Sequence, residues 1–266
     1  MLEAVDTVPT RPGIRHPASG IRPGSRRNRR DTMSKRFTGK VVLVTGGGEG
    51  IGRAAAFAFA REGADVVVAG RHPEMLHDTV EEIKALGGSA SCGIADVTHH
   101  GEDGGASDAE AIVAAVVERH GRLDVAFNNV TELGPNQPVA EICESVWGET
   151  LAANLTGVWL SMKHEIAHME RNGGGVIVNT ASNIGSQGML PGLGAYAASK
   201  AAVSTLTQTA AREYIGKGIR INAISPCPLG RGAKVEEIAD TVLWLASDEA
   251  SYVVGHDLVL DRKTAA

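Results

Sequence analysis

From Lys40 onward, short unbroken apolar runs alternate with longer stretches in which apolar residues recur every three or four positions. The short runs predict strands at Val41–Thr45, Asp65–Gly70, Ser89–Ala95, Leu123–Asn128, Gly175–Thr180, Ile219–Ile224 and Leu258–Leu260. The longer ones predict helices over Ile51–Glu62, Glu74–Leu86, Ala109–His120, Val146–Arg171, Tyr196–Ile215 and Val235–Ala246. Runs such as Val41-Val42-Leu43-Val44 do not alternate with polar residues, so both faces of the strand are covered, as in a parallel sheet between helix layers. Regular alternation of strand and helix, with right-handed crossovers, predicts an α/β fold. The expectation is a single Rossmann-type domain: a doubly wound, mostly parallel sheet of about seven strands, in the order 3-2-1-4-5-6-7, with helices on both faces.

Residues 1–33 break this pattern. They are rich in Pro, Gly and Arg, include Arg26-Arg27-Asn28-Arg29-Arg30, and have almost no apolar periodicity. Such a segment buries too little surface to offset its ordering entropy, so a disordered basic extension is expected, with the folded domain at 34–266. It reads as a basic arm for nucleic acid or membrane, as an organellar targeting peptide, or as an extension from a start codon placed too early. The last is favoured, because Met33-Ser34-Lys35-Arg36-Phe37-Thr38-Gly39-Lys40 leads directly into the first strand.

Composition narrows the function. A chain of 266 residues, 43% hydrophobic, holds one large domain with an ample core. Aromatic residues at 4% argue against an aromatic-rich β-sandwich, and a net charge of −5 gives no support to nucleic-acid binding. Cys92, Cys143 and Cys227 lack metal or disulfide spacing. No apolar run approaches the ~20 residues of a membrane span. A cytoplasmic protein without membrane or nucleic-acid partners is expected. His99-His100-Gly101-Glu102-Asp103 lies in a Gly- and Asp-rich connection without helical spacing, so no metal site is predicted.

The first strand runs straight into Gly46-Gly47-Gly48-Glu49-Gly50-Ile51-Gly52, and a helix follows. Glycines allow a sharp turn and close approach of a ligand, and the helix N-terminus offers free N–H groups to a pyrophosphate. Between the first strand and first helix of an alternating chain, this is a dinucleotide-binding signal that takes in Gly46, Gly48, Glu49, Gly50, Ile51 and Gly52. The second strand ends in Gly70-Arg71, with no carboxylate for a ribose and one guanidinium for a 2′-phosphate. That favours NADP. Glu49, a carboxylate beside a phosphate site, pulls toward NAD, which stays open.

Tyr196 and Lys200 stand four apart, one turn apart on one helix face. An ammonium beside a phenol stabilises the phenolate and lowers its pKa toward the range for acid–base work. Read with the glycine loop, this set resembles the short-chain dehydrogenase/reductase family over nearly everything from Thr38 to Asp261. The pieces that carry the resemblance are Thr45 to Gly52, Ala95-Asp96-Val97, Asn128-Asn129, Asn154 in Ala153-Asn154-Leu155-Thr156-Gly157, Ser182 in Val178-Asn179-Thr180-Ala181-Ser182, and Tyr196 through Lys200. The resemblance implies that Tyr196 exchanges a proton with a carbonyl or hydroxyl oxygen and that Ser182 hydrogen-bonds that oxygen. It implies that Lys200 binds the nicotinamide ribose, that Asn154 holds a relay water, and that Asp96 with Val97 contacts the adenine. Asn128 would support the cofactor from the fourth strand, and Pro226 would pass the nicotinamide. A small alcohol or carbonyl substrate follows, as does a homo-oligomer, tetramer or dimer, formed through the helices near Val146–Arg171 and Tyr196–Ile215.

Four departures from the family pattern bear on function. Val130-Thr131 follow Asn128-Asn129 where the family has Ala-Gly, and Cys227 stands where a glycine is usual after Pro226. Leu229 to Lys234 leads straight into the next helix, without the family's substrate-covering segment. The end reads Asp261-Arg262-Lys263 rather than Asp-Gly-Gly. Two functions are therefore expected in competition: an oxidoreductase interconverting a secondary alcohol and a carbonyl, or a weak or inactive dinucleotide-binding scaffold that has lost its lid.

Overall fold

A computed structural model describes residues 35–99, 107–186, 190–226 and 233–260. The chain divides into Met1–Met33 and Ser34–Ala266. The extension, Cys227, Leu229–Gly232, His100–Asp103 and the Asp261–Lys263 end lie outside the described residues.

Seven strands form one sheet: β1 (Val41–Thr45), β2 (Asp65–Gly70), β3 (Ser89–Ile94), β4 (Val125–Asn128), β5 (Gly175–Thr180), β6 (Ile219–Pro226) and β7 (Asp257–Leu260). Their order is β3-β2-β1-β4-β5-β6-β7, and every pairing is parallel. The helices are α1 (Gly50–Arg61), α2 (Pro73–Ala85), α3 (Asp108–His120), α4 (Glu144–Leu151), α5 (Gly157–Arg171), α6 (Asn183–Ser186), α7 (Gly194–Tyr214) and α8 (Val235–Ala246). Fold class and strand order are those expected for a Rossmann-type domain.

All five residues of β1 are buried, and their side chains divide by the two-residue period of a strand. Val42 and Val44 join Phe59 of α1, Ile83 of α2 and Leu243 of α8 in the core on one face. Val41 and Leu43 join Val113 of α3, Met162 and Met169 of α5 and Val203 of α7 on the other. Each such side chain contributes roughly 1.5–3 kcal/mol when fully buried. Covering on both faces is why β1 shows no alternation in sequence.

Several boundaries differ from expectation, most by one or two residues, and three differences stand out. β4 begins at Val125, two residues later than expected; ahead of it the Asp124 side chain accepts from the Val41 N–H (2.9 Å) while the Asp124 backbone bonds to Val41 (3.0 Å) and Val176 (2.9 Å). β6 continues to Pro226, held by β7 through Pro226↔Leu260. The single helix expected over Val146–Arg171 is α4 and α5 joined by a π-helical turn, Ala152–Thr156. The C-terminus of α8 is closed from the sheet, where Arg220 donates to the carbonyls of Leu245 (2.8 Å), Ser247 (2.9 Å) and Ala250 (3.1 Å). A cation at the negative end of a helix satisfies carbonyls that have no partner within it. Among the described residues, no helix is long and apolar enough to cross a membrane.

Candidate active site

A cleft of ≈ 600 Å³ opens at the C-terminal ends of the central strands, on either side of the point where the order reverses between β1 and β4. Open α/β sheets bind ligands at such a switch point. The glycine loop forms one wall. Gly46 has φ of 65°, a left-handed backbone that costs glycine nothing. A Cβ on Gly52 would lie 2.1 Å from the Gly46 carbonyl oxygen, so only glycine lets the first turn of α1 close onto the loop. Glu49 stands at the N-cap of α1 without capping it through its side chain, which leaves the first-turn N–H groups to a ligand in the cleft. Gly46, Gly48, Glu49, Gly50 and Ile51 line the cleft. Gly52 lies beneath it. An uncapped helix end beside a cradle that a Cβ would fill fits the pyrophosphate of a dinucleotide.

Arg71 lines the same cleft from the end of β2, and its guanidinium lies 3.7 Å from the carboxylate of Glu132, in the segment after β4. Asp96 also lines it, and one of its carboxylate oxygens accepts from the Thr98 N–H (3.0 Å) and hydroxyl (2.7 Å). Val97 is buried against Gly157, the first residue of α5. His99 pairs with Asp108 (2.9 Å), and among the described residues no three side chains gather as metal ligands.

Asn128 is buried and does not line the cleft; its amide donates to Glu165 Oε2 and to Asn179 Oδ1, both at 3.0 Å. Its neighbour Asn129 does line the cleft, where the Asn129 amide oxygen accepts from the Thr180 hydroxyl (3.3 Å). Asn154 is fully buried in the π turn. It pairs twice with the backbone of Glu132, accepting from the N–H (2.8 Å) and donating to the carbonyl (2.7 Å). Its side chain thereby fixes the segment that carries Val130 and Thr131 past the cleft.

Ser182 follows β5 and Tyr196 lies in the first turn of α7; both line the cleft, and the Ser182 hydroxyl accepts from the Ile184 N–H (3.3 Å). Lys200 lies one turn on, with no exposed surface. Its amine donates to the Thr180 carbonyl (2.8 Å), to the Thr131 hydroxyl (3.2 Å) and to the Val130 carbonyl (3.5 Å). The electrostatics differ from the expected picture of a phenol acidified by an ammonium. Burial pushes the Tyr196 phenol above its ordinary value, opposed by the Ser182 hydrogen bond. Burial also lowers Lys200 to about 7. A lysine near its midpoint at neutral pH carries only part of a charge, and that charge faces backbone and hydroxyl oxygens. Pro226 closes β6 on the cleft rim, and Val130 stands on the wall where the family carries a smaller residue.

Four groups at the site escaped the sequence reading: Thr131, Glu132, Thr180 and Glu165. Thr180 lies inside the quoted Val178–Ser182 piece, but what it offers Lys200 is a backbone carbonyl, which no residue type advertises.

A family model described as short chain dehydrogenase matches residues 40–240, and a second, described as enoyl-(acyl carrier protein) reductase, matches residues 227–262. Cyclohexanol dehydrogenase of Acinetobacter sp. (strain SE19) is 37% identical over 248 residues, covering 86% of this chain and 96% of that protein. The 2,5-dichloro-2,5-cyclohexadiene-1,4-diol dehydrogenase LinX of Sphingobium indicum is 36% identical, covering 86% and 97%. The solved structure of NAD+-bound xylitol dehydrogenase superposes with a TM-score of 0.79 at 30% identity, covering 85% of this chain and 99% of that one. The 248 aligned positions of the first relative exceed 86% of 266 residues, so that relative carries residues this chain lacks. All three are named as dehydrogenases, and the alternative of an inactive scaffold draws no support from them. The chain belongs to the short-chain dehydrogenase/reductase family and is an oxidoreductase.

Proposed function

We propose that the protein interconverts a small, neutral secondary alcohol and its ketone, with a nicotinamide dinucleotide as hydride partner. The observation that carries the reading is that Ser182 and Tyr196 line one cleft together with the glycine loop, with Lys200 buried one turn behind. From the segments that bear the two hydroxyls, Ile184, Leu190 and Leu193 also line the cleft, and Leu133 joins them from the segment after β4. That apolar lining favours an uncharged substrate, and two of the relatives are named for six-membered carbocyclic alcohols.

The glycine loop and the first turn of α1 would hold the pyrophosphate, with Asp96 and Val97 near the adenine. Arg71 is the residue for a 2′-phosphate, so NADP is the preferred cofactor, with NAD as the alternative. The bound nicotinamide supplies or accepts the hydride. The chain does the rest. Ser182 orients the substrate oxygen and steadies charge developing on it. Tyr196, protonated at neutral pH because burial raises its phenol, is ready to give a proton to that oxygen during reduction. Lys200, buried behind the cleft and bonded to the Thr180 carbonyl at the end of β5, would hold a ribose hydroxyl of the bound cofactor. As in the family, the protein would self-associate through the α4–α5 run and α7.

The test follows oxidation of NADPH and NADH by cyclic and acyclic ketones in wild type and Tyr196→Phe. Turnover should fall by roughly 10²–10⁴-fold in the variant, the usual contribution of a positioned proton donor, while calorimetric binding of the dinucleotide is kept. Equal turnover in both proteins would reject the mechanism. Binding without turnover by wild type across the panel would favour the scaffold reading.

A further inference from the structure

Behind the cleft, on the face of the sheet covered by α5 and α7, lies a carboxyl group that the proposed reaction does not use. Glu165 projects from α5 into the core and has no exposed surface. Among the described residues, its side chain's only hydrogen bond is from the Asn128 amide nitrogen to Oε2 (3.0 Å), and the same nitrogen also donates to Asn179 Oδ1 (3.0 Å). Asn179 in turn donates to the Thr207 hydroxyl of α7 (2.9 Å) and approaches the Met162 sulfur (3.1 Å). Two buried oxygens of this group have no hydrogen-bond partner among the described residues: Glu165 Oε1 and Asn128 Oδ1.

Those two atoms are the missing side of a familiar figure. A carboxylic acid and a primary amide join in a ring of two hydrogen bonds, one N–H to the acid's carbonyl oxygen and one O–H to the amide's oxygen. The first bond is present as Asn128 Nδ2 to Glu165 Oε2. The second needs one proton on Glu165 Oε1, directed at Asn128 Oδ1. With the carboxyl ionised, both oxygens are acceptors only, so each stays unsatisfied in a site without water contact, at a heavy cost in free energy. Protonation removes the charge and satisfies both atoms together.

Among the described residues, no cation offsets a negative charge here. Lys200 of α7 is turned to Thr180, Thr131 and Val130, and Arg220 of β6 is held by the carbonyls at the end of α8. Glu110 of α3 acts on His164 instead, and His168 of α5 is bonded to Asn172. β4 and β5 carry no charged residue. Burial alone drives the Glu165 carboxyl up, to about 8, against the one hydrogen bond from Asn128.

We propose that Glu165 is a neutral carboxylic acid that closes a hydrogen-bonded ring with Asn128, and that this ring positions the ends of β4 and β5 around Lys200. The path is short. Asn128 precedes Asn129 and Val130, whose carbonyl faces Lys200, and Asn179 precedes Thr180, whose carbonyl takes its strongest bond. Glu165 is thus a positioning residue: it touches neither substrate nor cofactor, and it acts through two strand ends. Its ionisation leaves two acceptors facing each other and loosens both.

The linkage has a definite sign. The folded value is raised from the ordinary 4.5 of a glutamate carboxyl to about 8, so the folded state holds a proton that the unfolded chain releases. The contribution to stability is complete below about 4.5 and is lost progressively as pH rises to about 8, beyond which it is flat.

The whole protein tests this with two substitutions. Glu165→Gln replaces the acid with an amide that can close the same ring without a proton; Glu165→Leu cannot close it. An infrared difference spectrum, wild type minus Glu165→Gln at neutral pH, should show the carbonyl stretch of a protonated carboxyl. Thermal melting of Glu165→Gln should match wild type at acidic pH and exceed it progressively as pH rises toward 8. NMR titration of the lysine amines should find Lys200 unmoved in Glu165→Gln and shifted up, toward the ordinary lysine value, in Glu165→Leu. A carboxylate band with no protonated band overturns the neutral acid, as does a Gln variant that melts with the wild-type pH profile. A Lys200 titration unchanged in the Leu variant overturns the positioning role.

Discussion

Lys200 has no exposed surface, and its amine titrates near 7 instead of 10.5 because burial disfavours the charged form. The lowered value fixes how the residue enters folding. Between about 7 and 10.5 the unfolded chain holds a proton that the folded state has released, so stability rises with pH across that window. The slope reaches at most ~1.4 kcal/mol per pH unit. Its sign is opposite to that of Glu165. Lys200→Met should therefore lose stability relative to wild type as pH is raised from 7 toward 10.5, measured by urea unfolding of both proteins at each pH. A difference between them that stays constant over the window would mean that Lys200 remains a full ammonium in the folded protein. At this scale the sequence shows residues whose chemistry is announced by type and spacing: Tyr196 and Lys200 one turn apart, Ser182 in its run, and the glycines after β1. It does not show the oxygens that answer them. The three acceptors around Lys200 come from Val130, Thr131 and Thr180, two of them through the backbone. Glu165 reads as one more polar position on an amphipathic helix, and only the fold turns it inward.

The π turn at Ala152–Thr156 shows what an element can hide. Its residues continue the apolar periodicity of a helix, so nothing in the pattern marks a break. The cause is tertiary: Asn154 reaches the Glu132 backbone with both ends of its amide, and the widened turn lets it do so. By contrast the strands are legible because burial on both faces leaves unbroken Val and Ile runs, and the helices because each covers one sheet face. Exact boundaries are less legible, as ahead of β4, where Asp124 bonds to Val41 through both side chain and backbone yet lies outside the strand. Asn154→Ala removes two hydrogen bonds and leaves the Glu132 N–H and carbonyl in search of partners, a loss of ~1–3 kcal/mol. The urea midpoint should fall at unchanged slope. Amide exchange at Glu132 should speed up while exchange in β1 follows only the global loss. Full protection of the Glu132 amide in the variant would show that Asn154 does not hold this segment.

At the scale of the molecule, the sheet is covered on both faces, yet apolar surface remains outside. Two of the three tryptophans, Trp147 of α4 and Trp159 of α5, are 43% and 46% exposed. The same run of helix buries Val158, Leu160, Met162, Ile166 and Met169 against the protein itself. A helix that fills the core with one side and presents tryptophan on another is suited to meeting a second surface, since aromatic residues are enriched at protein interfaces. The simplest closed arrangement is a two-fold one, in which the α4–α5 run meets the same run of another copy and each tryptophan faces the partner helix. A specific contact of this kind buries at least ~1,000 Å² in total, more than one exposed residue supplies, so the expected contact takes in both tryptophans. Light scattering of the wild type at micromolar concentration should then give a dimer or tetramer. Trp159→Glu places a carboxylate in the apolar centre of that contact and should lower the mass to that of a single chain, while the far-ultraviolet circular dichroism stays that of the folded protein. A wild type that is monomeric throughout, or a Trp159→Glu protein of unchanged mass, would remove this face from the account of assembly.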